Sequence, residues 1–187
     1  MKLDHILDKI YPLPLPSKQL LLQNITEVNY PKGHILLSAD KVEHSIFFIK
    51  KGIARVYTRT LDHEITILFC KEGDTLVSMK SYVLNQKGYE DVALLEDSEL
   101  YELKTEKLQK LFAKDISIAN WARRFAEKEL IKTEERFIAR QFRTAKERYQ
   151  EILRDHPDLI QRVQLSYIAS YLGITQVSLS RIRADRS

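Results

Sequence analysis

The spacing of hydrophobic positions changes character twice along the chain. Residues 1–29 place Leu3, Ile6, Leu7 and Ile10 at helical intervals, run through the proline-interrupted stretch Pro12–Pro16, and continue after Ser17 with Leu20, Leu21 and Leu22. Two short helices separated by a stiff turn are predicted, with Ser17 as N-cap of the second. Residues 28–103 switch to short, partly alternating apolar runs: His34–Leu37, Ser45–Lys50, Ile53–Thr58, Glu64–Cys70 and Val92–Leu103. Lys32-Gly33, Lys51-Gly52 and Glu72-Gly73-Asp74 punctuate them. Within Glu64–Cys70, strict alternation puts Ile65, Ile67 and Phe69 on one face and Thr66, Leu68 and Cys70 on the other. Short strands with turn signals about every dozen residues predict an antiparallel sandwich or barrel, a shape that can enclose a small-molecule cavity without requiring one.

Helical spacing returns at Thr105, whose hydroxyl can cap the segment that follows. Asp115 can then cap a run from Ile116 to about Gln141 that contains neither glycine nor proline. At about 1.5 Å per residue such a helix is about 39 Å long, more than a compact domain of this size needs. Its apolar stripe is broken by Glu129 and Arg136. The length predicts packing on a twin helix in a homodimer, with Ile118, Ala122, Phe125, Leu130 and Phe137 as the candidate seam; a helix laid across the barrel is the alternative. Thr144-Ala-Lys-Glu147 matches a capping box, so a further helix starts there and stops before His156-Pro157.

The most specific pattern is Gln164–Arg183. Ile168 and Leu172 share one helical face, Leu179 and Ile182 share another, and Ala169 is small where the two helices would cross. Gly173 suits a sharp turn between them, and Thr175 can cap the second helix. The positions left outside are Gln176, Val177, Ser178, Ser180, Arg181 and Arg183. Hydrogen-bonding and cationic groups with few acids are what a helix needs to read base edges in a major groove, so the stretch reads as a helix–turn–helix. A plain αα-hairpin with a solvated polar face is the competing reading. Within the 187 residues no β-hairpin wing follows.

Charge sharpens this division. Residues 1–120 carry 16 Lys/Arg against 17 Asp/Glu, whereas residues 121–187 carry 14 against 9. The basic excess therefore lies entirely in the part that would meet phosphates. Cys70, the one cysteine, rules out an internal disulfide and an all-cysteine metal site, and the five histidines offer no ligand spacing. No apolar run is long enough to span a bilayer, and the N-terminus lacks a signal-peptide core; the cytoplasm is the expected compartment. No catalytic motif is present, so an enzyme is not expected.

The order of small β-barrel, long helix, capped helix and helix–turn–helix resembles the CRP/FNR family of bacterial transcription regulators, and its short members in particular. The resemblance is carried by Tyr30–Leu37, Ser45–Tyr57 with its Lys51-Gly52, Glu72-Gly73-Asp74, and the C-terminal motif. It implies an α+β fold in three parts: a cyclic-nucleotide-binding-like jelly roll (1–114), a dimerisation helix (115–142) and a helix–turn–helix domain (143–187). It also implies double-stranded DNA, a second copy of the chain and RNA polymerase as partners, with Thr175, Gln176, Val177, Ser178, Arg181 and Arg183 at the DNA. Gln176, Val177 and Arg181 fall where the family places base-contacting side chains. Val177 replaces the acid often found there.

The effector site departs from the family pattern. Cyclic-AMP binders carry a Gly-Glu pair and an Arg-Ser or Arg-Thr pair in the phosphate cassette; the matching positions here hold Val77-Ser78 and Gly88-Tyr89. No arginine lies between Arg59 and Arg123. Tight cyclic-AMP binding is therefore not expected, and no cofactor or metal is. Ser78, Met79, Tyr82, Gly88 and Tyr89 are the candidates to line whatever pocket remains, or else are plain loop and core residues. The leading expectation is a homodimeric, sequence-specific DNA-binding regulator. The alternative is a small-molecule-binding or protein-interaction module whose helix–turn–helix no longer reads DNA.

Overall fold

The computed structural model describes residues 1–184; positions 185–187 of the expected 143–187 domain lie outside the described residues. Two four-stranded antiparallel sheets face each other. One has the order β1 (Ile25–Tyr30), β8 (Ser98–Lys104), β3 (Ser45–Lys51), β6 (Thr75–Leu76). The other has β2 (Ile35–Leu37), β7 (Asp91–Leu94), β4 (Ala54–Arg59), β5 (Glu64–Cys70). The result is an open sandwich, not a closed barrel.

Each sheet is covered on both faces, which explains the apolar runs. In β3, Phe47 and Ile49 enter the core between the sheets, while Ile46 and Phe48 point outward under helices. Those helices are α1 (Leu3–Ile10), α2 (Leu15–Leu22), α4 (Thr105–Phe112) and the first half of α5 (Ile116–Phe142). The second sheet's outer face carries the C-terminal helices α6 (Ala145–Asp155), α7 (Leu159–Arg162), α8 (Leu165–Leu172) and α9 (Gln176–Ala184). Ile53, fully buried, belongs to the core of that C-terminal domain, with Phe69 and Leu95 packed beside it.

Several local expectations are corrected. The β5 alternation fails because Ile67 is a bulge: Val56 pairs with Leu68 but Tyr57 pairs with Thr66. One extra residue flips the register, so Leu68 and Cys70 pack in the inter-sheet core while Thr66 turns outward to Arg55. Ser17 is not a cap; α2 begins earlier, with Pro14 as N-cap, and the Ser17 hydroxyl bonds Asp115 instead. Thr105 likewise does not cap α4, and its hydroxyl donates to the His44 carbonyl. Val92–Leu103 is two strands, divided at residues 95–97. The strands β1 and β6 and the helices α3 (Met79–Leu84) and α7 were not resolved by the apolar pattern. Two caps hold as expected: Asp115 accepts from the Ser117 and Ile118 N–H groups, and Thr144–Glu147 forms a complete capping box.

No described helix is long and apolar enough to cross a membrane.

Candidate nucleic-acid interface and effector site

The helix pair α8–α9 is built as its spacing implies. Ile168, Ala169, Leu172 and Leu179 are buried in the C-terminal core. Gly173 adopts φ +69°, and the following N–H of Ile174 returns to the Ala169 carbonyl, closing α8 with a left-handed residue. The Thr175 hydroxyl accepts the Ser178 N–H at 3.1 Å and lies 3.0 Å from the Ser178 hydroxyl. Those two hydroxyls therefore serve the start of α9. Gln176, Val177, Arg181 and Arg183 are exposed. Val177 and Arg181 lie one turn apart, as do Gln176 and Ser180, so the free polar groups share one outward surface.

The long helix divides in two. Ile118, a candidate for the dimer seam, is fully buried in its own domain, so it is removed from that face. Ala122 and Phe125 are partly buried against the same core. Trp121 is buried and donates its indole N–H to the Leu7 carbonyl at 3.0 Å. Lys128 donates to the Lys9 and Ile10 carbonyls at the end of α1. Beyond that point the large apolar side chains of the helix face solvent. Leu130, Ile131, Phe137, Ile138 and Phe142 are all more than half exposed.

The five candidate pocket residues do not meet in one cavity. Ser78 is buried with an unpartnered hydroxyl, and a Cβ added at Gly88 would fall 2.4 Å from it, so these two fill each other's space. Met79 and Tyr82 instead line a small apolar slot under α5, with Trp121 and Phe125. Tyr89 is exposed and takes Lys80 over its ring at 4.4 Å. Glu90 lies 3.6 Å from the position of that added Cβ. Asp91 is buried, pairs with Arg59 at 3.1 Å and accepts the Ala39 N–H. Two carboxylates, Glu90 and Asp91, and two cations, Arg59 and Lys80, thus surround these positions.

Sequence reasoning missed the contacts that join the two parts. Ser170 of α8 accepts the Thr66 N–H at 2.9 Å and donates to the Glu64 carbonyl, gripping the β5 backbone. Arg162 bridges Glu72, Glu96 and Asp158, and Lys71 pairs with Asp158. Arg55, nearly buried on the outer face of β4, lies between the rings of Tyr57 and Tyr167. The available signal was a charged residue inside the apolar run Ile53–Tyr57.

Glu72 gives this junction a pH dependence. Burial of its carboxylate opposes ionisation, but the Arg162 guanidinium and the Gly52 N–H outweigh it and hold the pKa at about 2. A carboxylate depressed below its ordinary 4.5 stabilises the fold above that pH and loses the contribution as pH falls towards about 2. Thermal stability should therefore drop more steeply as pH falls from 4.5 towards about 2 in the wild type than in Glu72→Gln. Parallel acid limbs in the two proteins would show that Glu72 is not a source of it.

Residues 27–115 match the family model of the cyclic nucleotide-binding domain. No curated protein matches the sequence significantly. Among solved structures, the Catabolite Activator Protein of Thermus thermophilus is 18% identical, with 96% of this chain and 85% of that chain covered and a TM-score of 0.60. A putative transcriptional regulator of the CRP/FNR family from Eubacterium rectale is 16% identical, covering 93% and 85%, TM-score 0.72. The c-di-GMP responsive global regulator CLP of Xanthomonas campestris is 16% identical, covering 92% and 91%, TM-score 0.70. At these identities the likeness concerns the fold. Residues 27–115 are thus similar to a cyclic nucleotide-binding domain, and most of the chain shares the fold of these regulator structures.

Proposed function

We propose that the protein is a homodimeric, sequence-specific DNA-binding transcription regulator of the CRP/FNR type, working in the cytoplasm and without enzymatic activity. Its parts are an effector domain (1–114), a dimerisation helix (115–142) and a helix–turn–helix domain (143–187). The observation that carries this reading is the outer surface of α9. Gln176, Val177, Arg181 and Arg183 are exposed while Leu179 anchors the helix behind them. Arg181 suits the O6 and N7 atoms of guanine, Gln176 suits adenine N6 and N7, and Val177 suits a thymine methyl. Two such helices, one per subunit, would enter successive major grooves about 34 Å apart. RNA polymerase is the natural further partner of a DNA-bound regulator. The sandwich is not tuned to cyclic AMP, because its cassette holds acids and an orphaned serine and lacks the family's arginine.

Selection from a random DNA pool tests the reading, run on the wild type and on Gln176→Ala/Arg181→Ala. A two-fold-symmetric motif is expected from the wild type alone. On that motif, Arg181→Ala should weaken binding by about 1–3 kcal/mol and relax the preference at one base position. Motifs equally enriched by both proteins would remove α9 from the role. No enrichment at low salt, with or without cell extract, would favour an interaction module that no longer reads DNA.

A further inference from the structure

The cleft between the sandwich and the C-terminal domain has a chemistry separate from the cassette. It encloses about 260 Å³ and is lined from both sides. Ile35, Tyr57 and Ala93 of the outer sheet face form its floor, and Tyr167 of α8 and Gln164, the residue that precedes that helix, close it. That volume lies just under the range of drug-sized sites, about 300–1,000 Å³, and suits a small metabolite.

Three cations line the cleft, Lys32, Arg55 and Arg162, against one lining carboxylate, Glu64. They differ in what they have left to offer. Arg162 is committed to Glu72, Glu96 and Asp158. Lys32 is exposed, and its ammonium makes no ion pair among the described residues; its backbone N–H donates to Asp97. Arg55 is 3% exposed and held between Tyr57 and Tyr167, 4.4 and 4.0 Å from the ring centroids. Its Nε donates to Thr66 and its Nη1 to Glu64, both on β5. Nη2, with two N–H groups, has no acceptor among the described residues and is the end left to the cleft. Arg55 Nη2 is not sealed from solvent, since the buried unpartnered side-chain atoms among the described residues are Ser78 Oγ and Arg148 Nε, so it is open to an incoming oxygen.

The geometry points to a site for a small organic carboxylate in this cleft, its oxygens on Arg55 Nη2 and the Lys32 ammonium and its apolar body against Ile35 and Ala93. A monoanion matches the balance, since Glu64 already answers Arg55 and Arg162 is fully answered elsewhere. A dianionic phosphate would meet Glu64 and leave the apolar floor uncovered. Because both the sandwich and α8 line the cleft, its ligand binds the docked arrangement and tightens it by linkage.

The test needs no DNA, so it stands or falls apart from the regulator reading. Full-length protein with labelled arginine and tyrosine side chains is titrated with benzoate, phenylacetate and hexanoate, each beside its own amide. At least one acid should shift the Arg55, Tyr57 and Tyr167 signals saturably, with its amide binding about tenfold weaker or worse. Lys32→Ala, an exposed change, should weaken that acid about tenfold. Ala93→Phe, which fills the floor and leaves every cation in place, should abolish the shifts. The proposal is overturned if no acid moves those signals, if amides match their acids, or if Ala93→Phe binds as the wild type does.

Discussion

A protein carrying Leu130→Glu and Phe137→Glu together is expected to be monomeric and to lose about 10²–10⁴-fold in affinity for a two-fold-symmetric DNA site. The two positions are seven residues apart, and Ile131 and Ile138 repeat that interval beside them. A seven-residue repeat of exposed apolar side chains is what the seam of a paired helix would require, and it lies in the second half of α5. Two glutamates on that seam would face their own copies across the pair, placing like charges in an interface that must shed water. The affinity falls because a monomer engages one half-site, whereas a dimer holds the second at high effective concentration. Sedimentation and fluorescence anisotropy read the two effects separately. A variant that still sediments as a dimer would move the interface elsewhere. A monomer that binds DNA as tightly as the wild type would break the link between pairing and recognition.

Trp121→Ala should lose about 3–5 kcal/mol of stability. Trp121 joins three elements: its ring meets Phe48 of β3 at a centroid distance of 6.3 Å, its N–H satisfies the Leu7 carbonyl of α1, and its backbone belongs to α5. Truncation opens a cavity there and removes one of the two donors to the Leu7 carbonyl, which keeps the Tyr11 N–H. Trp121→Phe keeps most of the ring and loses the N–H, so about 0.5–1.5 kcal/mol separates it from the wild type. Urea unfolding measures both. A loss under about 1 kcal/mol for the alanine variant would mean that α5 is not held to the sandwich through this residue.

The C-terminal helix pair was legible because its determinants are local. Spacing of one turn, a left-handed glycine and a hydroxyl cap are all decided within a few residues, as are Asp115 and the Thr144 capping box. The sandwich was legible as short strands between glycine turns, although Ile67 reversed the faces of half of β5, because a bulge leaves the apolar pattern nearly unchanged. Ile118 was assigned outward because a stripe on a long helix does not say which of two partners it meets. The junction was invisible for a different reason. Thr66 and Ser170 are 104 residues apart, and nothing near either one marks the other. The cassette was half legible: the missing arginine shows in the sequence, but the filling of its space by Ser78 against Gly88 does not.

Ile53 leaves the chain only nominally divided at residue 142. It sits at the foot of β4 yet has no exposed surface, because the neighbours that cover it include Tyr149, Ile152 and Leu159 of the C-terminal helices. Lifting those helices away would bare Ile53, Phe69 and Leu95 and open the base of their own core at the same moment. The end of the long helix is thus a landmark of the backbone, whereas the cooperative unit of melting runs across it. A protease cut between residues 142 and 143 is expected to leave two peptides held together through that shared core.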